Sequence, residues 1–173
     1  MEDFLYYTRE KIRPGNSKYQ NLLFKLLKVP LLQRFIIPLI IKSYKLPQNT
    51  SINRNFKCTA PFLNLEENVS LADTFIVAWA SIYIGKNTTF SYGNSIINSS
   101  HDFGDFYTVI GKPVIIGANT WITSNCTILG GVKIGNNTVI GAGSVVVHDI
   151  PSGVFAAGNP CKVIKKISFR IND

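Results

Sequence analysis

His101 is the residue of this sequence whose side chain is best suited to proton transfer, and it lies in the segment NSSHDFGDF. Imidazole gains and loses a proton near neutral pH, so His101 could act as a general base. A lone histidine near a turn more often has a structural role, and the residue alone leaves both interpretations open. The side chains that follow it combine aromatic rings with carboxylates, which suits a sugar ligand. They are Asp102, Phe103, Asp105, Phe106 and Tyr107.

The three cysteines offer no alternative chemistry. Cys58, Cys126 and Cys161 lie far apart, with neither a CxxC pair nor a histidine at metal-binding spacing, so we expect neither a metal site nor a disulfide framework. The first residues, MEDFLYYTREKIRPG, lack the apolar run of a secretory signal. We therefore expect free thiols in a reducing cytoplasm. The six Asn-x-Ser/Thr sequons then reflect an Asn-rich and Thr-rich composition and not glycosylation.

A period of six residues indicates the element that must hold His101. Aliphatic side chains recur at this spacing at Ile116, Ile122, Ile128, Ile134, Ile140 and Val146. Upstream, the spacing joins Ile84, Phe90 and Ile96, and, after a slip of one residue, Leu65, Leu71 and Val77. An α-helix and an ordinary strand repeat at 3.6 and 2.0 residues, so neither explains the pattern. A mainly β, three-sided parallel β-helix does, with these aliphatic rungs along its axis.

The corners of the coil are predicted from the residues between the rungs. The position four residues after a rung is mostly small or compact, at Thr88, Asn94, Ser100, Thr120, Cys126, Val132, Thr138 and Ser144. Gly, Asn and Ala fill many of the other positions, and Gly and Asn accept a positive φ at little cost. Each unit is therefore predicted to be a very short strand followed by a tight corner. The pattern does not fix the hand of the coil.

One long interruption breaks the period. The interval from Ile96 to Ile116 is twenty residues, which is not a multiple of six, and it contains HDFGDFYTVIGK at 101–112. This predicts a loop at 102–112 that leaves the coil, and loops on rigid scaffolds often carry function. We divide the chain into a helical segment (1–47), the β-helix (48–151) and a C-terminal tail (152–173).

The front of the chain carries the net charge of +8. Residues 1–57 hold eleven Lys or Arg against three Asp or Glu, whereas residues 58–173 hold seven of each sign. Residues 21–46 alternate apolar clusters with basic residues and are broken at Pro30 and Pro38, which predicts short amphipathic helices. Their apolar runs are too short to span a bilayer. They could dock on the following domain, which we favour, or make a peripheral contact with the anionic inner membrane surface.

Three motifs resemble the hexapeptide-repeat O-acetyltransferases, the group with galactoside, maltose and colanic-acid-type enzymes. They are SSHD, KPVIIGANTWI and GGVKIGNNTVIGAGSVVVHDIPSGVFAAGNPCKVIKKI. The AGNPCKVI block is the most specific, because repeat geometry alone does not require it. The resemblance implies a left-handed β-helix that uses acetyl-CoA without a metal, and a homotrimer with active sites between subunits. It also implies acetylation of a sugar or glycan in bacterial surface polysaccharide biosynthesis.

The resemblance assigns roles to individual residues. His101 matches the catalytic general base, and Ser124 matches the corner whose backbone N–H would stabilise the oxyanion. The candidate acetyl-CoA residues are Trp121, Ala142, Gly143, Lys162 and Lys165, with the two lysines at the phosphates. Trp121 could instead support a neighbouring subunit or coil. His148 occupies a position where relatives commonly carry Lys, which predicts a weaker phosphate contact.

Acceptor recognition is less closely matched to the family. The acidic and amide residues that bind sugar in galactoside acetyltransferases have no clear counterpart, and the candidate substrate residues are instead Trp79, Asp102, Phe106 and Tyr107. Two other functions stay open: N-acetylation of an amino-sugar nucleotide, and a non-catalytic solenoid scaffold or binding module. Nucleic-acid binding is not expected, because the basic residues alternate with leucines and do not line a polar face.

Overall fold

The protein is described by a computed structural model that covers residues 5–7 and 14–168. Short parallel strands, numbered along the chain, stack into three sheets, so the predicted β-helix is confirmed. Face 1 contains β4 (Leu63–Leu65), β7 (Ile82–Ile84), β12 (Val114–Ile116) and β15 (Lys133–Ile134). Face 2 contains β2 (Ser51–Ile52), β5 (Ser70–Ala72), β8 (Thr89–Phe90), β13 (Trp121–Ile122), β16 (Val139–Ile140) and β18 (Val154–Ala157). Face 3 contains β3 (Lys57–Cys58), β6 (Phe75–Val77), β9 (Ser95–Ile97), β14 (Thr127–Leu129) and β17 (Val145–Val146).

The aliphatic ladder forms the core that the period predicts. Every predicted rung from Ile84 to Val146 is buried, and successive coils place equivalent rungs side by side. One predicted rung is wrong. Ile76, not Val77, is fully buried and pairs with Ile96. The preceding corner is one residue shorter than the period requires, because Ala72 turns the chain at once with a φ of 46°.

The small residues after the rungs line the corners, with one exception. Thr88, Thr120 and Thr138 are buried, and each hydroxyl donates to a carbonyl oxygen of the next coil at 2.8–3.1 Å. Ser100, in contrast, is exposed, because the chain leaves the coil before it. Asn98 is the last residue to turn inward, and it is fully buried.

A row of asparagines runs up the corner between faces 1 and 2. Asn68, Asn87, Asn119 and Asn137 all have φ between 52° and 58°. Starting from Asn49, each side-chain N–H donates to the side-chain oxygen of the next asparagine, at 2.6–3.2 Å. We call this row the asparagine ladder. Asparagine fits the position because it accepts a left-handed backbone and bonds to its own kind in the next coil.

The helical front consists of α1 (Lys18–Leu27), a 3₁₀ turn (Pro30–Leu32) and α2 (Gln33–Ser43). Ser17 and Gln20 form a capping box that starts α1. Leu27 and Ile40 are fully buried in one apolar cluster with Ile52 of the first coil. The predicted docking is therefore correct for the inner side of the helices, and no helix of residues 5–7 and 14–168 is long and apolar enough to cross a membrane. Arg9, Lys11 and Arg13, which contribute to the positive charge of the front, lie outside the described residues.

The predicted loop is an ordered β-hairpin. Strands β10 (Ser99–His101) and β11 (Val109–Gly111) pair antiparallel, and β1 (Leu5–Tyr7) adds a third strand beside β11. The hairpin leaves the corner between faces 3 and 1. The end of the chain also differs from a simple tail, because β18 is the last parallel strand of face 2 and β19 (Lys162–Lys166) returns antiparallel to it.

Candidate active site

His101 ends β10 and is exposed on the hairpin. Its Nδ1 atom lies 2.7 Å from the backbone oxygen of Phe106, and its ring stacks on the Phe106 ring with 4.4 Å between centroids. A carbonyl oxygen can only accept, so Nδ1 carries the proton and donates it in this hydrogen bond. In the neutral imidazole this hydrogen bond leaves Nε2 unprotonated, which is the tautomer that a general base at Nε2 requires.

The carboxylates of the hairpin tip hold its shape. Asp102 Oδ1 accepts from the backbone N–H of Gly104 at 2.7 Å, and Asp105 Oδ2 accepts from the hydroxyl of Thr108 at 2.6 Å. These contacts are typical of tight turns closed by aspartate side chains. Tyr107 and Phe106 stay largely exposed beside them. Asp102, predicted to bind substrate, thus has at least one oxygen engaged in positioning the hairpin.

Trp79 lies at the base of the hairpin, one coil earlier on the same corner. Its backbone N–H donates to Asn98 Oδ1 at 2.7 Å, and the Nδ2 of Asn98 donates to the carbonyl of Ala80 at 2.6 Å. The hydroxyl of Tyr7 donates to the Trp79 carbonyl at 2.8 Å, with the two rings edge to face. A Cβ on Gly111 would lie 2.7 Å from that carbonyl, so hairpin and corner are in close contact.

Two of these residues escaped the sequence-based prediction. Tyr7 contacts Trp79, which is 72 positions away, and no short-range sequence pattern predicts such a contact. Asn98 could have been found, because it follows the rung Ile96 directly before the period fails. The four predicted substrate residues and His101 therefore gather at one place, the corner between faces 3 and 1.

The predicted acetyl-CoA residues gather elsewhere, at face 2 and its corner with face 3. Trp121 is half-exposed on β13, and its ring N–H donates to the Ser91 hydroxyl at 3.0 Å. Ser124 follows in the corner, and its carbonyl accepts from the N–H of Gly143 in the next coil at 2.9 Å. One coil further along the chain, the Gly158 carbonyl accepts from the N–H of Val145.

This second group could accommodate a long, thin cofactor. A Cβ on Gly143 would have no atom within 4 Å, and Gly143 and its neighbour Ala142 are both exposed. Backbone is therefore accessible along this corner. Lys162 and Lys165 are exposed on β19 and pair with Ala157 and Phe155 of β18, so their ammonium groups extend the same surface.

The two groups do not meet within one chain. His101 follows face 3, whereas Ser124 and Gly143 precede it, so the strands of face 3 lie between the two corners. Three extended residues span about 10 Å, more than a proton or acyl transfer can bridge. His148 is exposed just after β17 and thus shares the corner of His101, away from Lys162. A single chain therefore carries both groups of predicted site residues but holds them apart.

The cysteines are poor nucleophiles in this environment. Burial raises the pKa of the Cys58 thiol to about 12, and it also raises the pKa values of the Cys126 and Cys161 thiols. All three are therefore neutral near pH 7. Within residues 5–7 and 14–168, no group of three or more His, Cys, Asp or Glu side chains is placed to hold a metal ion.

Comparisons with known proteins agree with the β-helical fold. Residues 107–148 match the family described as bacterial transferase hexapeptide (six repeats). The solved structure of a maltose O-acetyltransferase from Clostridium difficile superposes with a TM-score of 0.77, at 30% identity over 88% of this chain and 86% of that one. The chain belongs to the hexapeptide-repeat acetyltransferase family.

Two further family members resemble the chain. The galactoside O-acetyltransferase of Escherichia coli is 40% identical over 124 residues, which are 70% of this chain and 56% of that protein. This chain thus spans little more than half the length of that curated relative. A galactoside acetyltransferase solved in complex with coenzyme A has a TM-score of 0.71, at 28% identity over 87% of this chain and 80% of that one.

Proposed function

We propose that the protein is an acetyl-CoA-dependent O-acetyltransferase that acts on a sugar hydroxyl, with His101 as its general base. The observation that carries this proposal is the hydrogen bond from Nδ1 to the Phe106 carbonyl, which presents a basic Nε2 on an exposed hairpin. The related proteins named as galactoside and maltose O-acetyltransferases support the choice of a sugar acceptor. A place in bacterial surface polysaccharide assembly is part of the same proposal.

The reaction needs one proton shuttle and one oxyanion donor. Nε2 of His101 takes the proton of the acceptor hydroxyl while that oxygen attacks the thioester carbonyl. A backbone N–H in the corner at Ser124 stabilises the tetrahedral oxyanion. When the intermediate collapses, the C–S bond breaks and the imidazolium returns its proton to the CoA sulfur. The acetyl ester and free CoA are the products.

Each half of the site suits its substrate. The exposed Ala142 and Gly143 leave room for the pantetheine arm against the backbone, and Lys162 and Lys165 supply positive charge for the phosphates. At the other corner, the exposed rings of Phe106 and Tyr107, with Trp79 at the base of the hairpin, offer apolar surfaces on which a sugar ring can stack.

A cyclic homotrimer would complete the site. His101 and Ser124 lie on opposite sides of face 3, and a neighbouring subunit can bring its hairpin to the corner that its partner leaves open. Cyclic symmetry repeats this heterologous contact at three equivalent interfaces and closes the assembly. Trp121, half-exposed on face 2, would then lie beside such an interface.

A screen of sugar acceptors with acetyl-CoA, read by thiol release, tests the activity. We expect turnover with at least one free, nucleotide-linked or lipid-linked sugar, and His101→Ala should lower kcat by about 10²–10⁴-fold. The variant should keep its oligomeric state and melting temperature, because the His101 side chain is exposed. Full activity in this variant would refute the mechanism, and transfer to amino groups alone would refute O-acetylation.

Mixed oligomers test whether the site is shared. His101→Ala spoils the hairpin corner and Ala142→Trp blocks the cofactor corner, so each variant alone should be inactive. If the site is shared, random trimers from an equal mixture of the two regain both intact halves at about a quarter of their interfaces, and about a quarter of parental activity should return. If one chain held a whole site, mixing would restore nothing.

A further inference from the structure

The outer side of the helical front carries a row of apolar side chains. Leu31, Phe35 and Leu39 are spaced by four residues, and they are 86%, 57% and 40% exposed. Phe35 and Leu39 lie along one side of α2, and Leu31 precedes them in the adjoining 3₁₀ turn, so the three exposed side chains form an outer ridge. We call them the apolar ridge. Ile36 and Ile40, by contrast, are buried against the first coil, so the ridge is not part of the core.

Basic side chains border this ridge. Lys42 follows Leu39 by three residues on the same side of α2, and the guanidinium of Arg34 lies 4.6 Å from the Phe35 ring centroid. No Asp or Glu occurs between Glu10 and Glu66 in the sequence. The helical front therefore combines exposed apolar surface with uniformly positive charge.

A basic cavity opens between α1 and the first coil. Lys25, Lys28, Arg54 and Lys57 line it around the ring of Phe56. An adjacent depression shares Arg54 and Asn55 with this cavity, and Asp73 is the one carboxylate among the residues that line the two. The ammonium of Lys57 lies 5.6 Å from the ring centroid of Phe75, which leaves Lys25, Lys28 and Arg54 as the cations around the apolar base. This arrangement favours an anionic group that is attached to an apolar chain.

We propose that the helical front docks on an anionic lipid bilayer, with the apolar ridge in the headgroup boundary and the cavity of Lys25 and Lys28 over lipid phosphates. An amphipathic helix with apolar residues on one side and basic residues beside them binds membranes in this way. A second copy of the chain is disfavoured as the occupant, because it would bring the same positive charge against this surface. The proposal does not rest on acetyl transfer.

In the proposed cyclic trimer, three apolar ridges lie at the same end of the assembly. Three weak contacts on one particle reinforce each other, because each bound subunit holds the other two near the surface. A trimer therefore needs only a modest affinity per helical front. The active-site corners run along the sides of the solenoid and stay accessible from the aqueous phase.

Vesicle flotation of the full chain tests the proposal. We expect binding to vesicles of phosphatidylcholine mixed with phosphatidylglycerol, little binding to phosphatidylcholine alone, and weakening as salt screens the charges. The double variant Lys25→Gln and Lys28→Gln should weaken the binding of each helical front about 30-fold, from about 1 kcal/mol per cation, and that of the whole trimer by more. The matched variant Lys86→Gln and Lys133→Gln, which removes two exposed lysines from the solenoid, should bind like the parent.

The apolar half of the proposal has its own test. Leu31→Ser with Phe35→Ser should weaken vesicle binding by at least about tenfold, because both side chains would leave the bilayer boundary. Tyr83→Ser, at an exposed aromatic on face 1 of the solenoid, is the control. Parental binding by both lysine and ridge variants would overturn the proposal. So would a ridge variant that lowers the oligomeric state in solution, since a second copy would then be the occupant. Acetylation of a soluble acceptor should be unchanged in all these variants, so the membrane proposal and the proposed function can fail independently.

Discussion

Replacing Asn98 by leucine should separate hairpin positioning from cofactor binding. Asn98 is fully buried where the chain leaves the coil, and its amide joins Trp79 N–H and the Ala80 carbonyl in one bridge. Leucine has the same branched arrangement of side-chain heavy atoms with larger terminal groups, so Asn98→Leu creates no cavity. It leaves one donor and one acceptor of the preceding corner without their partner.

The size of the effect follows from these two groups. Each buried polar group that loses its partner costs about 1–3 kcal/mol, so we expect Asn98→Leu to lower the free energy of unfolding by about 2–6 kcal/mol. Asn98→Asp keeps the acceptor for Trp79 but buries a carboxyl, whose charged form desolvation disfavours. Its folded pKa would lie above the unfolded value, so this variant should lose stability as the pH rises through that folded pKa.

Urea unfolding at one protein concentration measures the change, and Asn94→Leu is the matched control. Asn94 is also buried and makes two similar amide hydrogen bonds, to Ser91 O and Cys126 N, at the corner between faces 2 and 3. Both variants should lose comparable stability, but only Asn98→Leu loosens the base of the hairpin that holds His101. We expect kcat to fall in Asn98→Leu with KM for acetyl-CoA unchanged. An unfolding free energy within about 0.5 kcal/mol of the parent would refute the bridge as a stabilising contact.

Two further predictions concern stability. Asn119 has a φ of 52°, so Asn119→Ala should cost about 1–2 kcal/mol more than Asn119→Gly in urea unfolding; equal costs would show that the side-chain ladder alone matters. Burial raises the pKa of the Cys58 thiol from 9.0 to about 12. The contribution of this neutral thiol to the free energy of unfolding is therefore complete below pH 9 and is lost between pH 9 and 12. Cys58→Ala should therefore show a shallower alkaline fall in unfolding free energy than the parent, and identical slopes would contradict this assignment.

The fold follows from the sequence because the side-chain period is a direct consequence of coil geometry. From Ile84 onward, each face of a coil contributes one inward apolar rung, so the period alone identifies these rung residues. The failure at Val77 has a local cause, since a single left-handed residue, Ala72, shortens one corner. A spacing rule cannot anticipate such a residue, because alanine rarely adopts that backbone.

The site was predictable to a smaller extent. The interruption of the period locates the hairpin, but not the β1 strand that pairs with it, because that contact joins residues about a hundred positions apart. The sequence also could not show that His101 and Ser124 lie at different corners. That separation depends on which face each residue follows, and hence on the assignment of every strand between them.

The two ends of face 2 resist self-association in different ways. The edge of a β-sheet offers unpaired N–H and C=O groups to any other strand. The helices pack against the first coil next to β2. At the other end β19 is itself the edge strand; it runs antiparallel to β18 and carries Lys162, Lys165 and Lys166, whose charges disfavour pairing with another strand. Removing residues 14–46 would therefore uncover an aggregation-prone edge, and the helical front protects the solenoid from fibre-like growth whatever else it contacts.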